Sequence, residues 1–400
     1  MSFPSAGARI RGGTMDETGR SFTVLVAHPS ADLYGSDRVL LETIDGLSGA
    51  GARVLVALPE PGPLVPELER RGAAVVLSPT PVLRKSLLSG AGLLRLAAES
   101  ARGLPRSVGV IRGARPDVIL ANTITVPLWT LAGRLTGVPV VTHVHEAEAK
   151  APRLLRAALA APLLLSRGIL TNSQFSADTL AASLPALRGR STVVYNGVPG
   201  PAEPVRPREK LLGGLRIAYV GRLSHRKGVD VAVEALLQLR RRGIDAELSI
   251  VGAVFPGYED YEAALRGQVA DGGAAAHVKF HGFQANVFPF LADADVVVVP
   301  SRLEEPFGNT AVEALLASRP VVVSNTSGLR EAAGGYRSAQ FVEPGDAAGL
   351  AAALARVAAA WPEFAAKARA DSAEAEFRHS PERYGKVMAD HLAQAAGGRQ

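Results

Sequence analysis

Two glutamates bracket a short turn in the segment EPFGNTAVE, in which seven residues separate Glu305 from Glu313. A run of valines, VVVVP, comes shortly before this segment, and an apolar pattern of helical period follows it. In an open parallel sheet, ligands bind beyond the carboxyl ends of the strands, and the N-terminus of a helix presents N–H groups to an anion. The residue types and their spacing therefore favour a site for a sugar nucleotide, with one carboxylate in the loop and the other in the first helical turn.

A structural explanation competes with this interpretation. Thr310 followed by Glu313 fits a capping box, in which each side chain satisfies a backbone donor at the start of a helix. Glu313 would then hold the helix end together without binding a ligand. Two carboxylates at this spacing are also common by chance, so the functional interpretation needs support from other parts of the chain.

Support comes from a second segment, VGRLSHRKGVD, in which a predicted strand ends at Val220 and a predicted helix follows. Gly221 allows a sharp backbone turn, and Arg222 and Lys227 emerge from the loop. Two cations at the carboxyl end of a parallel strand suit a diphosphate, whereas the alternative is a solvated basic loop that also contains Arg226. The chain has no GxxxxGK[ST] loop and no GxGxxG after a first strand, which argues against ATP and NAD as ligands.

The composition indicates a globular protein of about two domains. The chain has 400 residues, of which 47% are hydrophobic, and it contains no cysteine. Disulfides, thiolate metal sites and cysteine nucleophiles are therefore excluded, which suits a reducing cytosol. Residues 1–20 lack the apolar core of a secretory signal and are expected to be a disordered lead-in, with Met15 as an alternative start. No apolar run reaches the roughly 18 residues that span a bilayer, so we expect a cytoplasmic protein.

Positive charge is concentrated in the N-terminal half. The formal net charge is +6, but the segment from Leu83 to Arg167 alone carries twelve basic and four acidic residues. This excess fits solvated helix faces or a surface for anionic lipid or an acidic acceptor, and it fits nucleic acid least because no aromatic stacking platform accompanies it. Part of the segment is typical of an amphipathic element that would contact the inner face of a membrane. Its residues are Leu87, Leu88, Leu93, Leu94 and Leu96 beside Arg84, Lys85 and Arg95.

Strand-like runs alternate with helical stretches along most of the chain. The runs are rich in valine and isoleucine, as parallel strands buried on both faces are, and the alternation predicts βαβ units in doubly wound sheets. They lie at 22–29, 52–59, 73–79, 117–123, 139–146, 168–173, 191–198, 215–223, 246–253, 278–283, 295–302, 320–328 and 339–346. The predicted fold class is therefore α/β, with two facing Rossmann-like parallel-sheet domains and an interdomain cleft suited to a ligand.

The predicted domain boundaries follow from the same patterns. The N-terminal domain is predicted at 21–198 and the C-terminal domain at 215–379. Residues 199–214 are rich in proline and charge, which is typical of a linker. Residues 380–400 have a helical pattern that places apolar side chains on one face, and we expect this helix to pack back on the N-terminal domain. The apolar residues of that face are Tyr384, Val387, Met388 and Leu392.

Together, the two segments closely resemble the motifs of glycosyltransferase family 4, which combine GRL, KG and a Glu-x7-Glu pattern with its Phe-Gly. Further family landmarks occur in the same order along the chain. They are YGSDRVLLE from Tyr34, HVHE from His143, TNSQFSADTL from Thr171, VYNGV from Val194 and EPGD from Glu343. The resemblance implies the GT-B fold. It also implies retaining, metal-independent transfer of a hexose-type sugar from a nucleotide-diphosphate sugar to a hydroxyl of a glycan, lipid-linked or small-molecule acceptor.

The resemblance assigns donor-binding roles mainly to the C-terminal half. Arg222 and Lys227 would hold the donor diphosphate and neutralise the charge on the leaving group. Glu313 would bind the ribose, while Glu305 would hold the donor sugar together with backbone N–H groups of the following turn. The residues of that turn are Phe307, Gly308, Asn309 and Thr310. The remaining donor-binding residues implied in this way are Gly35, Gly221, Gly252 and Phe283, of which the last two would lie near the nucleobase.

In the N-terminal half, His145 matches a family histidine that lies near the transferred sugar. The resemblance therefore implies a catalytic set of His145, Arg222, Lys227 and Glu305. The structural alternative is a hydrogen-bonded histidine at a strand end, and His143, one strand period away, is the rival for the role. The acceptor-binding residues implied are Ser36, Asn122, His143, His145 and Glu146. Many relatives have Gly-Gly where this chain has only Gly35, which leaves the details of that loop open.

The segment Asp293-Ala294-Asp295 resembles the Asp-x-Asp metal site of a different glycosyltransferase fold. Here it joins a predicted helix end to a buried strand, so we interpret it as structural, and no other cluster has metal-ligand spacing. We expect no metal and no cofactor besides the donor, for which a UDP-sugar or a GDP-sugar is favoured. Two other functions stay open, a nucleotide-sugar epimerase or hydrolase of the same fold and a non-catalytic sugar-nucleotide-binding protein. Base, sugar, acceptor and oligomeric state are not determined by these patterns.

Overall fold

The structure, a computed structural model, describes residues 22–33, 35–83, 90–146, 152–255 and 257–397, with only the backbone for residues 90, 91 and 93. The predicted lead-in and most of the predicted amphipathic element lie outside the described residues. Contacts divide the described chain into two compact units. The N-terminal unit contains residues 22–172, 176–197 and 381–397, and the C-terminal unit contains residues 173–175 and 198–380. The predicted linker thus falls within the C-terminal unit.

The N-terminal unit is built on a parallel sheet. Its strands, as far as the chain is described, are β1 (Thr23–Ala27), β2 (Arg53–Leu58), β3 (Ala74–Leu77), β4 (Val118–Ala121), β5 (Val140–Val144), β6 (Gly168–Thr171) and β7 (Ser191–Val193). Its first helices are α1 (Gly35–Gly49), α2 (Leu64–Arg70), α3 (Gly90–Ala114), α4 (Pro127–Thr136), α5 (Arg153–Ala160) and α6 (Gln174–Ser183). The strands pair in the order β3-β2-β1-β4-β5-β6-β7, so β1 and β4 lie side by side at the centre.

The C-terminal unit repeats this plan. Its strands within the described ranges are β8 (Leu215–Val220), β9 (Ala246–Val251), β10 (Val278–Phe280), β11 (Val296–Val299), β12 (Val321–Ser324) and β13 (Ala339–Val342). Its helices are α7 (Val229–Arg241), α8 (Glu259–Asp271), α9 (Phe288–Asp293), α10 (Asn309–Leu316), α11 (Ser327–Ala333), α12 (Ala347–Ala359) and α13 (Trp361–Arg378). The pairing is again parallel, in the order β10-β9-β8-β11-β12-β13.

The predicted fold class is confirmed, because each of the thirteen predicted runs contains a strand and both sheets are parallel. Burial explains why continuous apolar runs predicted the strands. Every residue of β1, β4 and β11 is buried, so these strands have no solvent-exposed face. In each sheet the strand order reverses beside the first strand, between β1 and β4 and between β8 and β11. Ligand sites form at such switch points, beyond the carboxyl ends of the strands.

The last helix, α14 (Pro381–Gly397), belongs to the N-terminal unit and packs against α1. Two glycines meet where the helices cross: a Cβ atom on Gly46 would lie 2.3 Å from the Cα atom of Gly385. The hydroxyls of Thr43 and Tyr384 form a buried hydrogen bond of 2.8 Å beside this crossing. The fully buried Met388 and Leu392 complete the apolar face of α14. Gly46 and Gly385 therefore let the backbones of α1 and α14 approach closely.

Gly46→Ala is expected to lower the free energy of unfolding by about 1–3 kcal/mol. The added methyl group would clash with the backbone of Gly385, so α1 and α14 would have to move apart. Gly49→Ala, at the end of the same helix, is the control, since a Cβ atom there meets nothing within 4 Å. Thermal and urea unfolding of both variants measure the difference. Equal stability of the two variants would contradict the close packing of α14 on α1.

Candidate functional site

The loop after β8 carries the predicted cations. Gly221 continues the pairing of β8 with β9, and the chain then makes a short 3-10 turn at His225–Lys227. Gly228 follows in the left-handed conformation, with φ at 67°, and starts α7. A Cβ atom on Gly228 would lie 2.0 Å from the carbonyl oxygen of Pro300, the residue directly after β11. This close approach places the 3-10 turn at the carboxyl end of the neighbouring strand.

Glu305 lies at the centre of a compact ionic cluster in the C-terminal unit. Its carboxylate is 2.8 Å from the Lys227 Nζ atom, 3.7 Å from the Arg226 guanidinium, and accepts a hydrogen bond of 2.8 Å from the Ser301 hydroxyl. Burial by itself raises the pKa of the Glu305 carboxyl, but the charges of Lys227 and Arg226 outweigh burial and hold this pKa below its usual value. The cluster therefore contains one ionised carboxylate and two cations, an excess of positive charge.

The loops after β8 and β11 are also joined through their backbones. The N–H group of Arg302 donates to the carbonyl of Arg226 (2.9 Å), and the Arg226 guanidinium donates to the carbonyl of Glu304 (2.9 Å). The Glu304 carboxylate accepts a hydrogen bond of 2.7 Å from the N–H group of Ser327, the first residue of α11. Arg302 forms an ion pair with Asp230 in α7. These contacts fix the positions of both loops before any ligand binds.

Helix α10 begins two residues earlier than a capping box at Thr310 requires. It starts at Asn309 with Gly308 at the N-cap position and without a side-chain cap, and Ala311 donates the first backbone bond to the Gly308 carbonyl. The capping box at Thr310, which was the competing structural explanation, is therefore wrong, because Thr310 already lies inside the helix. Glu313 was predicted in the first turn but lies at the beginning of the second turn of α10. The N-terminus of the helix carries a positive partial charge suited to an anion.

Two residues of the intervening turn, Phe307 and Gly308, pack against the protein. Phe307 is 3% exposed and packs in the core of the C-terminal unit, with its ring centroid 5.7 Å from that of His379. A Cβ atom on Gly308 would lie 2.7 Å from the Leu329 side chain and 3.1 Å from Ala332. Packing against α11 therefore explains why this residue is glycine.

The other residues of the C-terminal unit that were predicted to bind the donor lie at the ends of β8, β9 and β10. Gly252 has φ at 146°, and a Cβ atom there would lie 1.9 Å from the carbonyl oxygen of Gly221, so the backbones of neighbouring strand ends are nearly in contact. The N–H group of Gly252 donates to the carbonyl of Gly282 (2.8 Å), beside the half-exposed ring of Phe283. The Arg222 guanidinium stacks 3.5 Å above the Phe255 ring centroid. This edge thus combines aromatic surface with a cation.

A second cluster forms in the N-terminal unit at the ends of β1, β4 and β5. His145 follows β5, and its Nε2 atom lies 3.1 Å from the Asn122 amide oxygen after β4. The Asn122 amide nitrogen lies 3.1 Å from His28 Nδ1, and His28 Nε2 lies 2.7 Å from the Asp37 carboxylate. Asp37 is in the first turn of α1, which opens with the predicted residues Gly35 and Ser36. The structure therefore brings Asn122 and His145 together.

His143 is less accessible than His145. It lies within β5 and is fully buried, and its ring centroid is 4.0 Å from that of His145. Burial lowers the pKa of His143 to about 3, so its ring is neutral at physiological pH. The pKa of His145 is also well below its usual value, because of burial first and of the neighbouring His143 and His28 second. Both rings therefore act as neutral imidazoles.

The carboxylate of Glu146 forms hydrogen bonds with neighbouring groups of the N-terminal unit. It accepts hydrogen bonds from the Thr123 hydroxyl and, at 3.1 Å, from the N–H group of His145. Burial raises the pKa of the Glu146 carboxyl, and these hydrogen bonds only partly offset that effect. Glu146 thus stabilises the turn after β5, directly beside His145.

Sequence reasoning missed several residues of both clusters. In the N-terminal unit these are His28, Asp37 and Thr123, and in the C-terminal unit they are Ser301 and Glu304. A histidine directly after the first strand and an aspartate in the first turn of the next helix were visible signals. The signal for Ser301 and Glu304 was weaker, because their partners depend on how two loops meet.

The Asp-x-Asp segment has structural partners. The Asp295 carboxylate accepts hydrogen bonds of 2.8 Å from the Arg208 side chain and from the N–H group of Arg216. Asp293 lies 2.8 Å from the Arg216 guanidinium. In the part of the chain that the structure describes, no group of three or more acidic, histidine or cysteine side chains could hold a metal ion. The interpretation of this segment as structural agrees with these contacts.

An exposed surface of the N-terminal unit combines leucines with arginines. Helix α4 packs against a short 3-10 helix at Ala161–Leu165, and together they expose the residues of what we call the leucine–arginine surface. These residues are Leu131, Arg134, Leu135, Leu164, Leu165 and Arg167. None of the described helices is both long and apolar enough to span a bilayer.

Comparison with protein families gives two matches that cover most of the described chain. A family model described as Glycosyltransferase Family 4 matches residues 34–199, and one described as Glycosyl transferases group 1 matches residues 214–360. The matched regions contain the C-terminal cluster and, except for His28, the N-terminal cluster. One family model covers the C-terminal sheet, and the other covers the N-terminal sheet apart from β1.

Curated relatives show similarity over longer stretches. A 2-deoxystreptamine glucosyltransferase of Streptomyces kanamyceticus is 31% identical over 327 residues, which cover 74% of this chain and 82% of that protein. A glycogen synthase of Mycobacterium tuberculosis is 32% identical over 264 residues. That match covers 63% of this chain and 62% of the synthase, which is less than two thirds of its length.

Solved structures share the fold at lower identity. Anabaena Alr3699/HepE in complex with UDP-glucose superposes with a TM-score of 0.77 at 22% identity, covering 93% of this chain and 99% of that one. Sucrose-phosphate synthase from Thermosynechococcus elongatus gives a TM-score of 0.73 at 18% identity, covering 93% and 98%. These likenesses show the GT-B fold.

Proposed function

Because the chain belongs to glycosyltransferase family 4, we propose that it transfers a hexose-type sugar from a nucleotide-diphosphate sugar to an acceptor hydroxyl, with retention of the anomeric configuration. The observation that carries this proposal is the ionic cluster of Lys227, Arg226 and Glu305. Glu305 lies three residues before the N-cap of α10, and the cluster holds more positive than negative charge. A diphosphate is a ligand that such a cluster and a helix N-terminus would bind together.

The proposed roles follow from the position of each group. Lys227 and Arg222 bind the diphosphate oxygens, and Glu313, on α10, accepts hydrogen bonds from the ribose hydroxyls. Glu305 keeps Lys227 in place and lies beside the transferred sugar. The N–H groups at the start of α10 complete the phosphate site. The cations supply the positive charge that a divalent metal supplies in other enzymes, so the proposed chemistry uses no metal.

Retention is consistent with transfer on one face of the sugar. The bond between the anomeric carbon and the phosphate oxygen breaks, and a bond from that carbon to the acceptor oxygen forms on the same side. The leaving phosphate oxygen takes the proton of the acceptor hydroxyl, so no strong base is required from the protein. Lys227 and Arg222 stabilise the charge that develops on the phosphate during this step.

The comparisons support a uridine diphosphate donor. HepE was solved with UDP and with UDP-glucose, and the Streptomyces relative is named for glucosyl transfer to 2-deoxystreptamine, a small molecule. We therefore propose a UDP-sugar as the donor in preference to a GDP-sugar, and a hydroxyl of a small-molecule, glycan or lipid-linked acceptor.

A thermal-shift panel of UDP-, GDP-, ADP- and TDP-sugars tests the proposal. A ligand at 100 times its dissociation constant stabilises the folded protein by about 2.7 kcal/mol, which corresponds to a shift of several degrees. We expect the largest shift with a UDP-sugar, in the presence of EDTA as in its absence. No shift with any nucleotide sugar would contradict the proposed function.

The leucine–arginine surface supports a peripheral position at an anionic membrane. Exposed leucines next to arginines are the combination that inserts apolar groups at a lipid interface while the cations contact anionic headgroups. Such a location would favour a lipid-linked acceptor. The surface is therefore the part of the N-terminal unit that we propose for this contact.

Flotation with liposomes measures this contact. We expect the protein to float with phosphatidylglycerol-containing vesicles at low salt and not with purely zwitterionic ones, because high salt and neutral lipid both remove the electrostatic attraction. Leu135→Gln with Leu165→Gln should reduce flotation severalfold. Leu212→Gln changes a leucine of the C-terminal unit that is 75% exposed, and this control should leave flotation unchanged. Absence of wild-type binding at low salt would overturn this part of the proposal.

A further inference from the structure

Four side chains of the N-terminal unit form one continuous chain of hydrogen bonds, from Asp37 through His28 and Asn122 to His145. They come from four separate parts of the sequence: α1 and the ends of β1, β4 and β5. His28 and Asp37 are each 2% exposed and Asn122 is 1% exposed, so solvent does not compete for these bonds. The Ser30 hydroxyl donates a further bond of 2.9 Å to the Asp37 carboxylate and holds it in place.

The chemistry of the four groups fixes the direction of every bond. An ionised carboxylate only accepts, so the His28 Nε2 atom must carry the proton that it shares with Asp37. The Asn122 amide nitrogen, which can only donate, faces His28 Nδ1 at 3.1 Å, so Nδ1 is the acceptor of this ring. The amide oxygen of Asn122 is consequently turned toward His145. Since that oxygen can only accept, the His145 Nε2 atom must be a donor.

We propose that Asp37, His28 and Asn122 are positioning residues, which hold the His145 ring in one orientation and in the Nε2–H tautomer. His145 Nδ1 is then left as an acceptor for a hydroxyl of the sugar substrate. This inference rests on the proposed function for the identity of the substrate. The assignment of the tautomer does not depend on it.

Two further contacts restrict the same ring. The His143 ring lies 4.0 Å from it, centroid to centroid, at an angle of 51°, and the His145 backbone N–H group is bound by Glu146 at 3.1 Å. Because the surroundings keep both histidines neutral, no like charge on His143 pushes the His145 ring away. Rotation of the His145 ring would break its hydrogen bond with Asn122.

Nitrogen-15 NMR of the protein labelled at histidine tests the tautomer directly, because protonated and unprotonated ring nitrogens have well-separated chemical shifts. The chain has eight histidines, and the His145→Gln spectrum identifies the signals of His145. We expect an unprotonated Nδ1 and a protonated Nε2 for His145, and the same tautomer for His28. A protonated Nδ1 on either ring would reverse the chain and overturn the inference.

Asp37→Asn tests whether the carboxylate sets the direction. An amide at this position can donate to His28 Nε2, which lets every bond of the chain reverse and leaves His145 with a proton on Nδ1. We expect the NMR signals of His145 to shift toward that tautomer, and kcat of sugar transfer to fall by about 10- to 100-fold with a smaller change in KM. Asp45→Asn, on the exposed side of the same helix, is the matched control and should change neither signal nor kcat.

Failure of the inference and failure of the proposed function give different results. A shifted tautomer with unchanged kcat would overturn the positioning role, while transfer itself would stand. In a His145→Ala background, Asp37→Asn should cause no further loss of kcat; a full additional loss would show that Asp37 acts elsewhere. If the protein turned over none of the nucleotide sugars but His145 had the expected tautomer, the proposed function would be contradicted. The assignment of the tautomer would still stand.

Discussion

Lys227→Met is expected to lower kcat/KM for the donor by about 10²- to 10³-fold, the size typical for loss of a preorganised group that stabilises developing charge. Its Nζ atom is fixed by the buried Glu305 carboxylate at 2.8 Å, so the charge is in place before the donor binds. Release of the nucleoside diphosphate from the donor, with and without an acceptor, measures the loss. Lys279→Met is the matched control, because Lys279 forms an exposed ion pair of 3.3 Å with Glu247 in the same unit. It should retain activity.

A structural role for Lys227 makes a different prediction. If Lys227 only neutralised Glu305, the double variant with Lys227→Met and Glu305→Gln would regain activity, since no buried charge would be left unpaired. We expect the double variant to fold but to remain at least as impaired as Lys227→Met. Recovery to near wild-type kcat/KM would contradict the assignment of Lys227 to the diphosphate.

Gly228→Ala is expected to reduce activity by about 10²-fold through the backbone alone, because a displacement of about 1 Å at a reacting group costs that much. The new methyl group would lie 2.0 Å from the Pro300 carbonyl oxygen, so the loops after β8 and β11 must separate. Lys227, the preceding residue, would move away from Glu305. Donor-dependent thermal shift and kcat/KM measure this displacement.

Gly273→Ala separates the clash from the strain of the left-handed conformation. Gly273 has φ at 66°, almost the same as Gly228 at 67°, but a Cβ atom there meets nothing within 4 Å. Both variants bear the cost of about 1–2 kcal/mol for a left-handed alanine. We expect full activity from Gly273→Ala at a slightly lower melting temperature. Equal loss of activity in both variants would show that the contact with Pro300 does not position the cations.

Local patterns were sufficient to predict the strands and the two basic positions. Val296–Val299 is buried on both faces, so its composition alone marks a central parallel strand. The end of β8 and the turn that Gly221 permits were enough to place Arg222 and Lys227 in the loop after this strand. Since the carboxyl ends of parallel strands share one edge, their proximity to the loop after β11 could be expected from the order of elements.

Contacts between distant loops could not be predicted in the same way. The start of α10 depends on Gly308 packing against Leu329 of α11, and this contact overrides the local capping pattern at Thr310. The chain from Asp37 to His145 joins residues more than 100 positions apart. Each of its members has a local signal, but only the order of the strands in the sheet brings the four side chains together.

Calorimetric titration with a nucleoside diphosphate and with its nucleoside tests the central claim most directly, using the base that the thermal-shift panel selects. Two charge-assisted contacts of about 1.5–3 kcal/mol each should make the wild-type protein bind UDP at least 10²-fold more tightly than uridine. Lys227→Met should remove about tenfold or more of this preference and leave uridine binding unchanged. Equal affinity of the wild-type protein for UDP and uridine would contradict a diphosphate site at the loops after β8 and β11.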